Sequence, residues 1–424
     1  MRNLPQEKTV LVLGAHRQSL AVMQAVRRTG HRVCLGHDEP RSSFCDVSRW
    51  ADEVWHCPPG TFGAPRSFLA ACISLLEQRD DLVSIFPVGT REINLLLAVA
   101  GKLPSRIRLI APRSDLWFRC LDKSQMFALV DSLGIPSAPL VSVAGSGAVK
   151  DAVESLGWPC IVKPVSEQRS ICGEKALILR DRGSLQRFLN AEGGNSEPLL
   201  VQKYFLGRRH NLYFVAEHGR VVGVEETRVD RTDRSNGTGL GVAGRRIQAS
   251  PEWVSHLRKL VSSLDYHGMG CFQFLESEQT GDGCFLEVNA RLGANYSHLQ
   301  KSGSDLLERW IELASPSGSW AKDRPATVQS LKYAWTYGEL RSIEKRWSDG
   351  SIGWGETAHA LWEMVQTGLQ ADVHLDGAWR DPRPAWVLYR RYFASLVKRF
   401  YRKGRRPVPK VSAHARPAQS ALPR

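Results

Sequence analysis

The chain has 424 residues, 42% of them hydrophobic, which is enough for two or three domains with buried cores. No apolar run approaches the roughly eighteen residues of a spanning helix, residues 1–8 lack a secretory apolar segment, and nine scattered cysteines without Cys-x-x-Cys spacing fit a reducing cytoplasm rather than a disulfide framework or zinc site. The net charge of +14 is local: twelve of the 57 basic residues and no acidic residue lie in 382–424, leaving 45 basic against 43 acidic residues elsewhere, so a nucleic-acid face spread over the fold is excluded.

Residues 9–14 read as a buried parallel strand ending in a glycine turn, 19–29 as a helix closed by Gly30, and 31–36 as the next strand. Gly14 alone of a Gly-x-Gly-x-x-Gly pattern is present, which rejects a dinucleotide site. Residues 82–89 form a later strand whose carboxyl end carries Arg91 and Glu92. Open α/β sheets place ligands at such ends; Arg91 reads equally as a carboxylate anchor or, with Glu92, as the opening of a helix over 92–100. Residues 121–134 read as one amphipathic helix stopped by Gly134, with Lys123 near its start. An apolar strand over 158–164 ends in Lys163-Pro164, and the loop 166–175 after it holds a single glycine, Gly173, and Lys175.

Residues 199–207 are a further strand containing Gln202, Lys203 and Tyr204, followed by Arg208-Arg-His-Asn211. The glycine-rich stretch 230–246 reads as a mobile loop. Arg228, Arg231, Arg245 and Arg246 around it are candidates for holding an anion, or solvated loop cations. Beyond it come a helix at 304–314, a strand at 328–337 and a helix near 356–369.

The most informative stretch is Phe285-Leu-Glu-Val-Asn-Ala-Arg-Leu-Gly293. Strand alternation puts Glu287, Asn289 and Arg291 on one face and Leu286, Val288 and Ala290 on the other. A carboxylate and an amide oxygen at that spacing offer hard ligands to Mg²⁺, and an arginine one step on neutralises phosphate held by the same ion. The run 270–275, separated by Glu-Ser-Glu-Gln-Thr-Gly-Asp-Gly, forms the other arm of a hairpin and brings Gln273 beside Glu287.

The pattern Gln273…Glu287-x-Asn289-x-Arg291, with the Lys123, Lys163 and 199–207 segments in order before it, resembles the ATP-grasp superfamily over roughly residues 8–315. The resemblance implies an α/β ATP-grasp fold. A Rossmann-like pre-ATP-grasp domain would span 1–112, the ATP-grasp domain 113–315 with its lid at about 125–200, and a mainly helical C-terminal extension with a basic tail 316–424. It implies an ATP- and Mg²⁺-dependent ligase (Mn²⁺ also fits) that activates a small-molecule carboxylate as an acyl phosphate for attack by an amine or similar nucleophile. Gln273, Glu287 and Asn289 would hold the metal. Lys123, Lys163, Lys175, Gln202, Lys203, Tyr204 and Asn211 would bind nucleotide, Arg291 would act on the transferring phosphoryl, and Arg228 and Arg245 would face the substrate. The sparse flap and the absence of acidic residues at Lys203 and after Gly207 depart from the pattern, and the alternative is a degenerate ATP-binding or scaffold protein. The Gln273–Glu287 spacing also resembles the carbamoyl-phosphate group, but the chain carries no second repeat, biotin carrier or glutaminase segment.

Residues 386–402 can be written as one helix with Trp386, Tyr389, Phe393, Leu396 and Phe400 in an apolar stripe and Arg391, Lys398 and Arg402 opposite. With the polybasic end that follows, residues 383–424 read either as a surface for an anionic inner-membrane face or as a helix packed on the body.

Overall fold

The computed structural model describes residues 7–166, 169–234, 236–314, 330–377 and 380–403, and no side chain from 399 onward. A five-stranded all-parallel sheet opens the chain, in the order Glu53–His56, Arg32–His37, Thr9–Leu13, Leu82–Pro87, Arg108–Leu109. Helix Arg17–Arg28 covers one face, and helices Pro65–Glu77 and Thr90–Val99 cover the other, so the middle strands are apolar on both sides. The first helix starts two residues before the sequence suggested. The backbone N–H of its cap residue His16 donates to Ser19 Oγ at 3.0 Å.

The single helix expected over 121–134 is two, Ser114–Leu121 and Lys123–Ser132. Asp122 breaks it: its carboxylate accepts the Gln125 N–H at 3.0 Å, and a short acceptor at that position starts a new helix. A four-stranded antiparallel sheet follows, ordered Leu140–Val143, Leu199–Lys203, Cys160–Pro164, Leu177–Leu179. It packs on Val149, Val153 and Phe188 of its own helices.

The third sheet has seven strands, ordered Gly283–Asn289, Gly268–Glu276, Arg208–Glu217, Arg220–Thr232, Gly241–Ile247, Lys332–Ala334, Val373–His374. The C-terminal extension thus adds two strands to it, besides helices Thr336–Ser348, Trp354–Gln370 and Arg383–Lys403. The loop expected over 230–246 is shorter than predicted, because residues on both sides of it continue an antiparallel ladder. Gly241 and Gly244 serve close approach rather than mobility: a Cβ at Gly241 would stand 2.8 Å from Asn295 Nδ2, and one at Gly244 2.7 Å from the Tyr333 ring.

The tail stripe is also corrected. The last helix is packed on the body through Val387 and Tyr392, and Tyr389 turns inward to donate its hydroxyl to Asp376 Oδ2 at 3.0 Å. Trp386 and Phe393 face outward, and the side chain of Phe400 lies outside the described residues. Helix Trp354–Gln370 also leaves Trp354, Trp362 and Leu369 exposed along one side. Among the described residues, no helix is long and apolar enough to cross a membrane.

Helix Ser297–Lys301 anchors the chain just beyond the metal-like strand through fully buried His298. Its Nδ1–H donates to the Asn295 carbonyl at 2.5 Å, which leaves Nε2 bare to accept the Thr227 hydroxyl at 2.9 Å. Burial lowers its pKa from 6.5 to about 3. A depressed imidazole pKa means that its contribution is complete above the unfolded value and lost as pH falls toward the folded one. The stability gap between wild type and His298→Gln should therefore narrow by about 1.4 kcal/mol per pH unit below about pH 6.5. Denaturant unfolding of both proteins across that range measures it; a pH-independent gap would show that His298 is not held neutral.

Candidate functional site

The hairpin Gly268–Glu276/Gly283–Asn289 pairs Gln273 with Glu287 and Cys271 with Asn289. Phe274 pairs with Phe285, so the ladder slips by one residue and Leu286 is the extra residue of a bulge. The bulge changes the expected partition of faces. Phe285 joins Phe272 and Phe127 in the core, Leu286 is only half-buried, and Glu287 still faces the cleft. Val288 and Ala290 are buried as expected. Asn289 Nδ2 donates to Glu287 Oε1 at 2.8 Å, which fixes the two groups together. The next strand continues the row, because Asn211 pairs with Gln273. Asn211 is buried, its Oδ1 makes no hydrogen bond, and it stands with the metal-type set rather than apart from it. Gln273, Glu287 and Asn289 offer hard oxygen donors from one face, the donor chemistry Mg²⁺ requires.

An open cleft beside this face, with about 330 Å³ of empty space, is lined by Lys123, Met126, Phe127, Phe285, Glu287 and Asn289. Lys163 ends its strand in the smaller sheet and is buried against the same region. Its ammonium donates to Gln202 Oε1 at 2.9 Å and lies 5.9 Å from the Phe127 ring. Gln202 is held in turn by the Ala138 carbonyl at 3.3 Å. Burial lowers the Lys163 pKa to about 8; the Glu287 carboxylate opposes that shift and the Lys123 cation adds to it. Lys123, Lys163 and Glu287, from three separate elements, thus lie near enough for their charges to act on one another. Lys123 reaches back to the Pro164 carbonyl at 3.5 Å.

Lys203 and Tyr204 are more committed than expected. The Lys203 ammonium donates to the Trp158 carbonyl at 2.8 Å, and the two backbone N–H groups go to Pro139 and Pro159. Lys175 is exposed, beyond the Ile171–Glu174 bridge of the flap. Arg228 and Arg245 share Asp230, at 2.9 and 2.8 Å. Arg231 pairs with Glu339, and buried Arg246 pairs with Glu225 at 3.1 Å; both hold structure together. Arg91 is taken by Asp38 and Glu92 at 3.0 and 2.9 Å, and the helix behind it starts at Thr90. Arg291 is half-buried two residues beyond Asn289, and its charge opposes that of Glu287 at Cys271.

Two features escaped the sequence. Arg17 and Arg209 are charged groups with buried nitrogens that make no hydrogen bond. The position of Arg17 just past a strand end was the one available signal. His37, Asp46 and His56 also gather within 4.8 Å. However, His37 Nδ1 accepts the Glu39 N–H at 3.3 Å, so its Nε2 carries the proton that Asp46 accepts at 2.8 Å and is not a metal ligand.

Known proteins resemble this chain in part of its sequence and in its fold. Residues 122–317 match the family described as carbamoyl-phosphate synthase L chain, ATP binding domain. The carbamoyl phosphate synthase large chain of Clostridium acetobutylicum is 21% identical over 201 residues, 45% of this chain and 18% of that protein. The present chain thus spans under a fifth of that relative's length. The biotin carboxylase–β,γ-ATP complex from Campylobacter jejuni superposes with a TM-score of 0.61 at 18% identity, covering 77% of this chain and 74% of that one. An ADP complex of N5-carboxyaminoimidazole ribonucleotide synthetase gives 0.61 at 14% identity, covering 82% and 87%. The chain has the fold of these ATP-grasp structures, and its residues 122–317 resemble the ATP-binding domain of carbamoyl-phosphate synthase.

The depressed pKa of Lys163 gives a test. If its charge meets phosphate, the nucleotide dissociation constant should rise above pH about 8, by up to about tenfold per pH unit, as the ammonium deprotonates. Lys163→Arg should bind with no such rise. Calorimetric titrations of both proteins decide it, and parallel pH profiles would remove Lys163 from the phosphate site.

Proposed function

We propose that this ATP-grasp protein is a Mg²⁺-dependent ligase that phosphorylates a small-molecule carboxylate and passes the acyl group to an amine or similar nucleophile. The observation that carries this reading is the convergence of Lys163, Lys123 and the Glu287–Asn289 pair on one cleft. Cations on one wall and hard anionic oxygen on the other suit a metal-bound polyphosphate laid between two sheets.

The chain's own residues supply positioning and charge. Lys163, fixed by Gln202, would meet the phosphates without a search of rotamers. Mg²⁺ held by Gln273, Glu287 and Asn289 would neutralise the oxygens of the terminal phosphates. The substrate carboxylate oxygen attacks the γ-phosphorus, ADP departs, and Arg291 offsets charge on the transferred group. The nucleophile then attacks the acyl carbon and phosphate leaves. The four-stranded sheet over the cleft would keep water from the acyl phosphate. Glu174 of the flap is paired with Arg234 of the 233–240 loop at 2.5 Å, a contact that joins this cover to the substrate side.

Mg·ATP should raise the melting temperature by mass action, and a matched acid and amine should release ADP. Glu287→Ala and Asn289→Ala should each lower that turnover at least about 10²-fold with the fold retained. Stabilisation by Mg·ATP with no ADP release across a broad screen of acids and amines would favour a nucleotide-binding scaffold; undiminished turnover in both variants would reject the metal set.

A further inference from the structure

Arg17 opens its helix directly beyond the Gly14-Ala-His16 turn. Its Nη2 donates to the Ala294 carbonyl and to Asn295 Oδ1, both at 2.8 Å, and so ties the parallel-sheet layer to the segment after Arg291. The guanidinium lies 3.7 Å from the centre of the Trp335 ring. Gly338 gives that ring its place, since a Cβ there would stand 2.3 Å from it. Nη1 of Arg17 is buried and makes no hydrogen bond.

Arg209 comes to the same place from the central sheet. It shares a strand face with Asn211 and Tyr213. Its Nη1 donates to the Gly239 carbonyl at 3.0 Å, while its Nε is buried without a hydrogen bond. The charges of Arg17 and Arg209 both act on the phenols of Tyr213 and Tyr333, which places the two guanidinium groups around one spot. The acid that acts on Arg17 is Asp376. One of its oxygens takes the Tyr337 N–H at 2.9 Å and the Tyr389 hydroxyl at 3.0 Å. The same carboxylate also faces Lys301, whose ammonium rests on the His374 and Gly377 carbonyls at 2.6 and 2.7 Å. Among the described residues, no ion pair within 4 Å joins Arg17 to an acid. Arg17 and Lys301 thus share the Asp376 carboxylate, with Asp381 also acting on Lys301, in surroundings where an unmatched charge is costly. Burial brings Arg17 down to about 10 and Lys301 to about 8, as cations short of counter-charge should be.

We propose that Arg17 and Arg209 form a subsite for a carboxylate of the substrate other than the one that is phosphorylated, so that the ligase acts on a molecule with a second, spectator carboxylate. The assignment rests on the ligase reading above for its role, though not for the anion site itself. A planar guanidinium with an unused N–H edge fits a carboxylate fork. The site lies beside Gly293, whose absent side chain lets Tyr213 pack against the end of the metal-type strand (a Cβ there would be 2.6 Å from the ring). One small molecule can therefore reach both groups. Trp335 also lines an open groove between Glu174, Arg234 and helix Thr336–Ser348.

The test is calorimetric titration of the full chain with succinate, inorganic phosphate and Mg·ATP, in wild type, Arg17→Met and Arg17→Lys. Succinate should bind wild type, bind Arg17→Met at least about tenfold more weakly, and keep part of its affinity in Arg17→Lys, with Mg·ATP binding alike in all three. No succinate binding to wild type, or equal binding to Arg17→Met, overturns the subsite. Phosphate binding more tightly than succinate, with the same Arg17 dependence, overturns the carboxylate assignment in favour of a phosphate ester. Arg17-dependent succinate binding without any Mg·ATP binding leaves the subsite standing and removes the ligase reading. If Arg17→Met loses its cooperative melt, Arg209→Met is read by the same criteria.

Discussion

The site depends on one constraint, the phase of the hairpin Gly268–Glu276/Gly283–Asn289. A strand offers alternate residues to alternate faces, so a one-residue slip would exchange core and cleft. The core side demands aromatics, since Phe272, Phe274 and Phe285 pack with Trp253 of helix Pro251–Ser263. The cleft side demands Gln273, Glu287 and Asn289. Simple alternation cannot satisfy both, because Phe285 and Glu287 share parity. The extra residue at Leu286 resolves the conflict, and the bulge is the point where packing and chemistry are reconciled.

A second dependence is electrostatic. A buried lysine loses hydration and tends to lose its proton. Lys163 is kept available by a neutral neighbour, Gln202, rather than by an ion pair with an acid on its own sheet. A carboxylate in place of that amide would hold the ammonium more firmly charged but would also compete with phosphate for it. The neutral amide orients the cation and leaves its charge for an incoming anion.

The parts that could be read from the sequence were those governed by local periodicity. The apolar run 9–13, the hairpin with its polar connection, and the lysine at the end of 160–164 each follow from neighbours in the chain. The Gln273–Glu287 pairing also followed, because a short connection leaves few registers. What escaped was set by distant partners. Gly241 and Gly244 suggested mobility, yet their roles are fixed by Asn295 and Tyr333. Tyr389 belonged by spacing to an outward stripe, but Asp376 draws it in. Arg17 fell outside the helix expected over 19–29, and its surroundings come from Ala294, Asn295 and Trp335, none of which a local window contains.

The hydrogen bonds from Arg17 to Ala294 and Asn295 span 277 and 278 residues. Closing such a separation costs chain entropy that only slowly grows with length, but it delays contact formation, because everything between must first become compact. On a ribosome the N-terminal parallel sheet can form while its own counterpart, the strand bearing Glu287, is still being made. The polar seam between them is therefore among the last surfaces to close. Until then the nascent chain presents solvated arginine where the finished protein holds a partly buried cation, so the capacity to bind a small anion there arises only once residues 294–335 have been made.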